Sequence, residues 1–256
     1  VGEPLLATPE RAASYCGDRA LHMVFNFDIA RCRWNAAAFG AAIERGLRAL
    51  PADGWPCWVL GNHDLRRLVS RHGVRHPDEV ARVAAALLLT QRGTPFIYYG
   101  EELGLPDVRL RRGQVQDPPG LRYWPLFKGR DGCRAPLPWN AGPSGGFTTG
   151  TPWLPLAPGF GARNVEAQRR DPRSVWSFYR DLLALRRSSA ALRRGSFENL
   201  GQPSPGGLAY LRNDEGGHAL VVLNFGPTPL RLQLRRDLDP AGWRCALSAH
   251  PDRVAS

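Results

Sequence analysis

Three short apolar runs in this 256-residue chain stop abruptly at residues that could do chemistry. "WVLGNHD" ends on Asn62, His63 and Asp64, "FNFD" ends on Phe25, Asn26, Phe27 and Asp28, and the opening "VGE" delivers Glu3. In parallel α/β folds, polar residues at the C-terminal ends of strands face the active site, whereas strand interiors pack as core. Carboxylates on such strand ends, Glu3 and Asp64 among them, with His63 beside one, suit acid/base work at an acetal carbon. A protonated carboxylic acid donates to a leaving glycosidic oxygen while a second carboxylate stabilises the oxocarbenium-like charge. Aromatic side chains suit the apolar faces of a sugar, and Arg and His hydrogen-bond its hydroxyls.

Each of these residues also has a structural reading. Asn62, His63 and Asp64, taken alone, suit an N-cap or a turn equally well, because Asn and Asp favour both. A Glu at the third position of a chain is more often a solvated terminus. Glu101 and Glu102 look like a carboxylate dyad, yet adjacent residues point apart and acidic residues favour a helix start, so the structural role is preferred. His22, His72, His76, His218 and His250 lack the spacing of metal ligands.

The elements that must position these residues alternate. "LHMVFNFD" reads as a buried strand, "NAAAFGAAIERGLRAL" as a helix, and "WPCWVLG" as a strand. "PDEVARVAAALLLTQRG" is a helix with Pro77 and Asp78 at its start and Gly93 at its end, and "TPFIYYG" follows as a strand. Short links between alternating strands and helices mark parallel βα units, of a barrel or a doubly wound sheet. Residues 101–164 are rich in Gly, Pro and aromatics, and Trp124, Trp139, Trp153, Phe147 and Phe160 predict a packed, functional loop. A helix returns over "PRSVWSFYRDLLALRRSSAALRR", with Val175, Phe178, Leu182 and Leu185 as its inward stripe. From Gly195 the runs "LAYLRND", "HALVVLNF" and "LRLQLRRDL" alternate as antiparallel strands of a small β-domain.

Composition narrows the class. The 43% hydrophobic content is dispersed, and no run approaches the roughly 20 residues of a membrane helix. The net charge of +11 is almost wholly Arg, because Lys128 is the only Lys, and it is scattered with no basic run or nucleic-acid motif. Nucleic acid and membrane are therefore not expected as partners. Five widely spaced cysteines without a C-x-x-C pair imply neither a disulfide framework nor a zinc site, and reduced thiols in a cytoplasm are expected. The start lacks a Met and a secretory leader, as in the interior of a longer polypeptide.

Several segments, in order, resemble the α-amylase family of glycoside hydrolases, family thirteen, and within it the α-glucosidase and oligo-1,6-glucosidase group. "VGE" is similar to the family's general-acid strand and "HMVFNFD" to the strand after it. "WVLGNHDLRRLVSRHG" resembles the group's N-H-D-x-x-R-x-x-S-R block, and "GTPFIYYGEELGLPD" the segment that follows. "GRDGCRAPLPWNAGPSGGFTTGTPWLP" resembles the long loop and "NVEAQRRDPRSVWSFYRDLLALRR" the last barrel helix.

The resemblance implies an α/β fold: the C-terminal half of a (β/α)₈ barrel, from the end of strand five to helix eight, over residues 1–194, then a small antiparallel β-sandwich over residues 195–256. By motif, Glu3 is the general acid/base and Asp64 the carboxylate that clamps sugar hydroxyls. His63 donates to the same sugar, Arg134 contacts the non-reducing end, Phe25 and Phe27 line the pocket, and Arg67 lies near its entrance. The substrate implied is an α-glucoside oligosaccharide or disaccharide, with no cofactor or metal, and the calcium site of some relatives belongs to the absent half. Neither the nucleophile segment G-x-R-x-D nor D-x-V-x-N-H occurs here, so both are expected upstream in the N-terminal half-barrel, and the isolated chain is expected to be inactive. The same residues would serve a transglycosylase of the family, such as a sucrose isomerase. A non-catalytic interaction subunit would have no reason to keep Glu3, His63 and Asp64 together. Bond preference is not legible.

Overall fold

The computed structural model describes residues 1–4, 8–17, 19–51, 54–73, 75–202, 205–231 and 242–250. They form two compact units, one of Val1–Leu60, Val83–Phe96 and Asp181–Ser256, the other of Gly61–Arg82 and Ile97–Arg180.

In the first unit, strands β1 (Phe25–Asn26), β2 (Cys57–Val59) and β3 (Thr94–Phe96) lie side by side in that order, all parallel. Gly2 extends the order by one: it bridges Val24 in parallel, its N–H donates to Met23 O at 2.9 Å, and its carbonyl accepts from Phe25 N at 3.0 Å. Helices occupy the connections, at Pro9–Ala13, at Asp28–Arg31 and Ala36–Ala49, and at Pro77–Thr90. Neighbours follow chain order without reversal, as they do around a barrel and within one wing of a doubly wound sheet.

Local chemistry explains these elements. Asn35 caps the Ala36–Ala49 helix by accepting from Ala38 N, and Ala36, Phe39, Ala42 and Ile43 form its buried face. Gly46 lets that helix close on the sheet, because a Cβ there would stand 2.8 Å from the Trp58 ring. Strand β2 is buried at every residue, as expected of a parallel strand covered on both faces. Its Trp58 satisfies the one polar atom of its side chain by donating Nε1–H to Arg92 O at 2.7 Å.

The same unit holds an antiparallel sheet of β4 (Ser196–Gly201), β5 (Gly207–Asp214) and β6 (Gly217–Asn224). Strands β5 and β6 match "LAYLRND" and "HALVVLNF", and β4 is a strand that alternation did not reveal. The third run expected there, "LRLQLRRDL", falls outside the described residues from position 232 onward. Central β5 buries Leu208, Ala209, Tyr210, Leu211 and Arg212.

The second unit has little regular structure between residues 101 and 164, only short turns of 3₁₀ helix and one α-helical turn at Pro118–Arg122. It is packed nonetheless, but by aliphatic side chains: Leu103, Leu105, Val108, Ala135 and Ala157 form its core. Of the aromatics that predicted packing here, Trp124 and Phe160 are half-buried, whereas Trp139, Phe147 and Trp153 are exposed. Hydrogen bonds to backbone carbonyls also fix it, from Trp139 N–H to Gly145 O at 2.7 Å and from the Gln168 side-chain Nε2–H to Leu103 O at 2.9 Å.

Candidate functional site

The chain leaves β2 through Leu60 and Gly61 and turns at once. Asn62 makes the turn: its Oδ1 accepts from the backbone N–H of Asp64 at 3.0 Å and of Leu65 at 2.9 Å, the local bonding that suits Asn to this position. His63 and Asp64 are thereby left exposed at the end of a buried strand.

Asp64 is the meeting point of the second unit. Its Oδ1 accepts from Arg130 Nη1 at 2.9 Å and Arg134 Nη2 at 3.1 Å, with His63 Nε2 at 3.6 Å. Its Oδ2 takes none of these three contacts. Arg134 also donates Nε–H to the His63 carbonyl at 2.8 Å, so it grips two successive residues of the turn.

Arg130 is itself held from behind. It donates from Nη2 to Asp117 Oδ1 at 2.7 Å and from Nε to Asp117 Oδ2 at 3.1 Å, the fork-to-carboxylate geometry that fixes a guanidinium plane. The Asp117 side chain is fully buried, and the Arg130 guanidinium holds its carboxyl below the usual range. Asp117 and Asp64 together push Arg130 up, keeping it charged. Asp131 completes the chain of supports, its Oδ2 accepting from Gln116 N at 2.6 Å and Asp117 N at 2.7 Å. Behind His63 the buried Cys133 thiol donates to the His63 carbonyl at 3.4 Å, and burial pushes its pKa up to about 11.

Of the residues singled out in the sequence, His63, Asp64 and Arg134 come together in the second unit. Arg67, expected near the pocket entrance, is only 3% exposed and faces inward, with its Nη1 donating to Tyr99 O at 2.7 Å. Its guanidinium lies 4.8 Å from the Tyr99 ring centroid and 5.3 Å from that of Tyr98, and aromatic faces are what make such burial tolerable. Asp117 and Arg130 were not singled out, although "GRDGCR" holds Arg130 four places before Arg134.

Glu3, Phe25 and Phe27 belong to the first unit. Glu3 is exposed and follows the bridged Gly2. Phe25 packs edge-on against Phe96 at 4.7 Å and against Phe27 at 5.9 Å, and Phe27 leads into the Asp28–Arg31 helix. Among the described residues, no group of three or more His, Cys, Asp or Glu is placed to hold a metal, and no helix is long and apolar enough to cross a membrane.

A carboxylate gripped by two arginines beside a histidine, at the end of a parallel strand, suits binding and charge stabilisation of a polyhydroxylated substrate. A probable alpha-glucosidase of Rhizobium meliloti (strain 1021) is 43% identical over 71% of this chain and 33% of its own length. The oligo-1,6-glucosidase of Halalkalibacterium halodurans is 35% identical over 88% of this chain and 46% of its own. Among solved structures, the alpha-glucosyl transfer enzyme XgtA superposes with a TM-score of 0.79 at 39% identity, over 85% of this chain and 40% of that one. The trehalulose synthase MutB of Pseudomonas mesoacidophila MX-45 gives 0.76 at 32% identity, over 86% of this chain and 45% of that one. The chain thus spans a third to a half of the length of these relatives. Its parallel strands are part of a (β/α)₈ barrel, and an antiparallel sheet follows them. The model of the alpha amylase catalytic domain matches residues 1–195, and the chain belongs to that family.

Proposed function

We propose that the chain is part of a retaining α-glucosidase that cleaves terminal, non-reducing α-glucosidic bonds of maltose-like oligosaccharides. The observation that carries this reading is Asp64, a strand-end carboxylate whose Oδ1 is fixed by Arg130 and Arg134 while Oδ2 is left for ligand hydroxyls. Two guanidinium groups hold that carboxylate in one orientation before substrate arrives, so it opposes the positive charge of the transition state without reorganising.

In this reading Glu3 protonates the leaving glycosidic oxygen and then, as a base, activates water against the glycosyl-enzyme. His63 donates to the sugar that Asp64 clamps, Arg134 reaches its non-reducing end, and Phe25 and Phe27 line the pocket. The nucleophile comes from a G-x-R-x-D segment outside these residues, placed about 5 to 5.5 Å from the acid as retention requires. The 256 residues alone, which contain no such segment, turn over substrate less than about one thousandth as fast as the full-length protein. Free thiols and the lack of a disulfide among the described cysteines support a cytoplasmic location.

The test is hydrolysis of maltose and isomaltose by the full-length protein and its Glu3→Gln and Asp64→Asn variants. Loss of turnover in both, with folding retained, supports the assignment. Turnover by Glu3→Gln within tenfold of the parent, or measurable turnover by the isolated chain, sinks it. The likeness to a glucosyl transfer enzyme and a trehalulose synthase favours one second reading, transglycosylation by the same residues. Product analysis on sucrose separates the two, because hydrolysis releases glucose whereas transfer yields a new disaccharide.

A further inference from the structure

A buried polar pair lies beneath the Asn62–Asp64 turn, and no step above uses it. Glu101 heads the short 3₁₀ turn Glu101–Leu103, between Gly100 and Gly104, both left-handed. Its Oε2 accepts from Tyr98 N at 3.2 Å. Its Oε1 is buried with no hydrogen-bond partner among the described residues and lies against Gly61, where a Cβ would stand 2.6 Å away. Arg67 mirrors this state, with Nε and Nη2 buried and without partners among the described residues while Nη1 holds Tyr99 O. A buried carboxyl and a buried guanidinium, each with unused polar atoms, cost stability, and each such group calls for an explanation.

We propose that Glu101 is a positioning residue for the turn that carries His63 and Asp64, its carboxyl wedged against Gly61 when protonated and turned to the Arg67 guanidinium when ionised. The connections run both ways from this pair. Gly61 leads directly into the turn. Tyr98 and Tyr99, whose rings bracket Arg67, donate their hydroxyls to the carbonyls of Cys133 at 3.2 Å and Ala135 at 2.8 Å, the residues on either side of Arg134. A swing of Arg67 off Tyr99 O onto the carboxylate therefore disturbs the turn and the arginine that grips it.

Burial raises the Glu101 carboxyl to about 8. The charged and titratable groups that face it are Arg67 after the turn, Arg71 in the Leu68–His72 helix, Glu102 beside it and Tyr179 in the Val175–Ser188 helix. Both arginines pull it down and Glu102 pushes it up, while Tyr179 is itself held far above its ordinary value by burial. The carboxyl is accordingly protonated at neutral pH and ionises in mild alkali. Ionisation makes charge-assisted bonds to Nε and Nη2 of Arg67 favourable.

The experiment follows the backbone amides of Gly61 and His63 and the Arg134 Nε–H by NMR from about pH 6 to about pH 10, in the protein and in Glu101→Gln and Arg67→Met variants. The expected result is one shared transition near pH 8 in the parent. It is absent from Glu101→Gln, whose shifts stay at the parent's acid-form values, and it moves to higher pH in Arg67→Met. A flat response in the parent, a transition that survives Glu101→Gln, or a midpoint unmoved by Arg67→Met each overturns the proposal. No substrate is involved, so the result is independent of the glucosidase reading. A transition at these residues in a protein that cleaves no α-glucoside would leave Glu101's role intact and refute that reading alone.

Discussion

Two pairs of arginines show how one side chain serves two ends. Arg130 and Arg134 converge on a partly exposed carboxylate, Asp64, with Asp117 as buried counter-charge. Arg186 and Arg212, in the first unit, meet backbone carbonyls. Arg186 donates from Nη1 to Leu89 O at 2.6 Å and Gln91 O at 3.1 Å, and from Nη2 to Gly93 O at 2.6 Å. Arg212, wholly buried, reaches Thr90 O at 2.5 Å, Leu192 O at 3.2 Å, Gly195 O at 2.8 Å and Ser196 O at 2.9 Å.

The second pair sits where the Pro77–Thr90 and Ala190–Arg194 helices end, where unpaired carbonyls carry partial negative charge that a cation offsets. Burial lowers Arg212 to about 10, which still leaves it charged at neutral pH. The lesson concerns the net charge of +11: composition counts Arg130, Arg134, Arg186 and Arg212 as basic surface, yet two of them are spent on helix ends and two on one carboxylate. Exposure and partner type, carboxylate against carbonyl, separate the pair on Asp64 from the pair on the helix ends.

Substitutions break that comparison in opposite ways. Asp64→Asn in the full-length protein lowers kcat on the order of 10³-fold with little change in thermal unfolding, as steady-state kinetics and calorimetry would read. A melting loss without a kinetic loss would move Asp64 to the structural class. Arg212→Met does the reverse: it strands several buried carbonyls and costs about 3 kcal/mol in urea unfolding, while kcat of the folded enzyme stays within about twofold.

Asp117→Asn sharpens the contrast, because it leaves Asp64 in place and loosens only the support of Arg130. A fall in kcat of about tenfold is expected, with KM rising less. Asp117's carboxyl is lowered in the folded state, so its stabilisation is present above the ordinary carboxylate pKa and lost as pH falls through the lowered one. The variant should therefore lose less stability than the parent on acidification.

The smallest effect is a slope. Glu101 is raised from 4.5 to about 8, so its contribution is full below the unfolded value and is lost as pH climbs through the folded one. Urea midpoints at about pH 5, 7 and 9 should decline less in Glu101→Gln than in the parent.

The alternation of strands and helices was legible because burial imposes period: Phe39, Ala42 and Ile43 mark one face of a helix, and "CWV" is apolar throughout. Strand β4 was not, since "SFENLG" places Glu198 and Asn199 where alternation would want an apolar residue. Asn199 is suited there by its bond to Glu44 at 2.7 Å, a partner 155 residues away. The same distance problem hid the site's supports. Asp64 announces itself beside His63, but its link to Arg130 crosses 66 positions and Arg130's to Asp117 crosses 13, and neither separation follows a helix or strand period. The burial of Arg67 was not legible either, because only the fold reveals the tyrosine faces that receive it.

The arginine clamps on the end of the Pro77–Thr90 helix also bear on how that helix breathes. Helix C-termini ordinarily fray first, and the few residues beyond them tolerate insertion. Here Leu89, Thr90, Gln91 and Gly93 are each tied by a guanidinium from a distant part of the chain. This helix end should open only when β5, which holds Thr90, and the Val175–Ser188 helix, which holds the other three, come away, and a loop insertion between Thr90 and Gly93, at a place that looks permissive, would act like a core deletion.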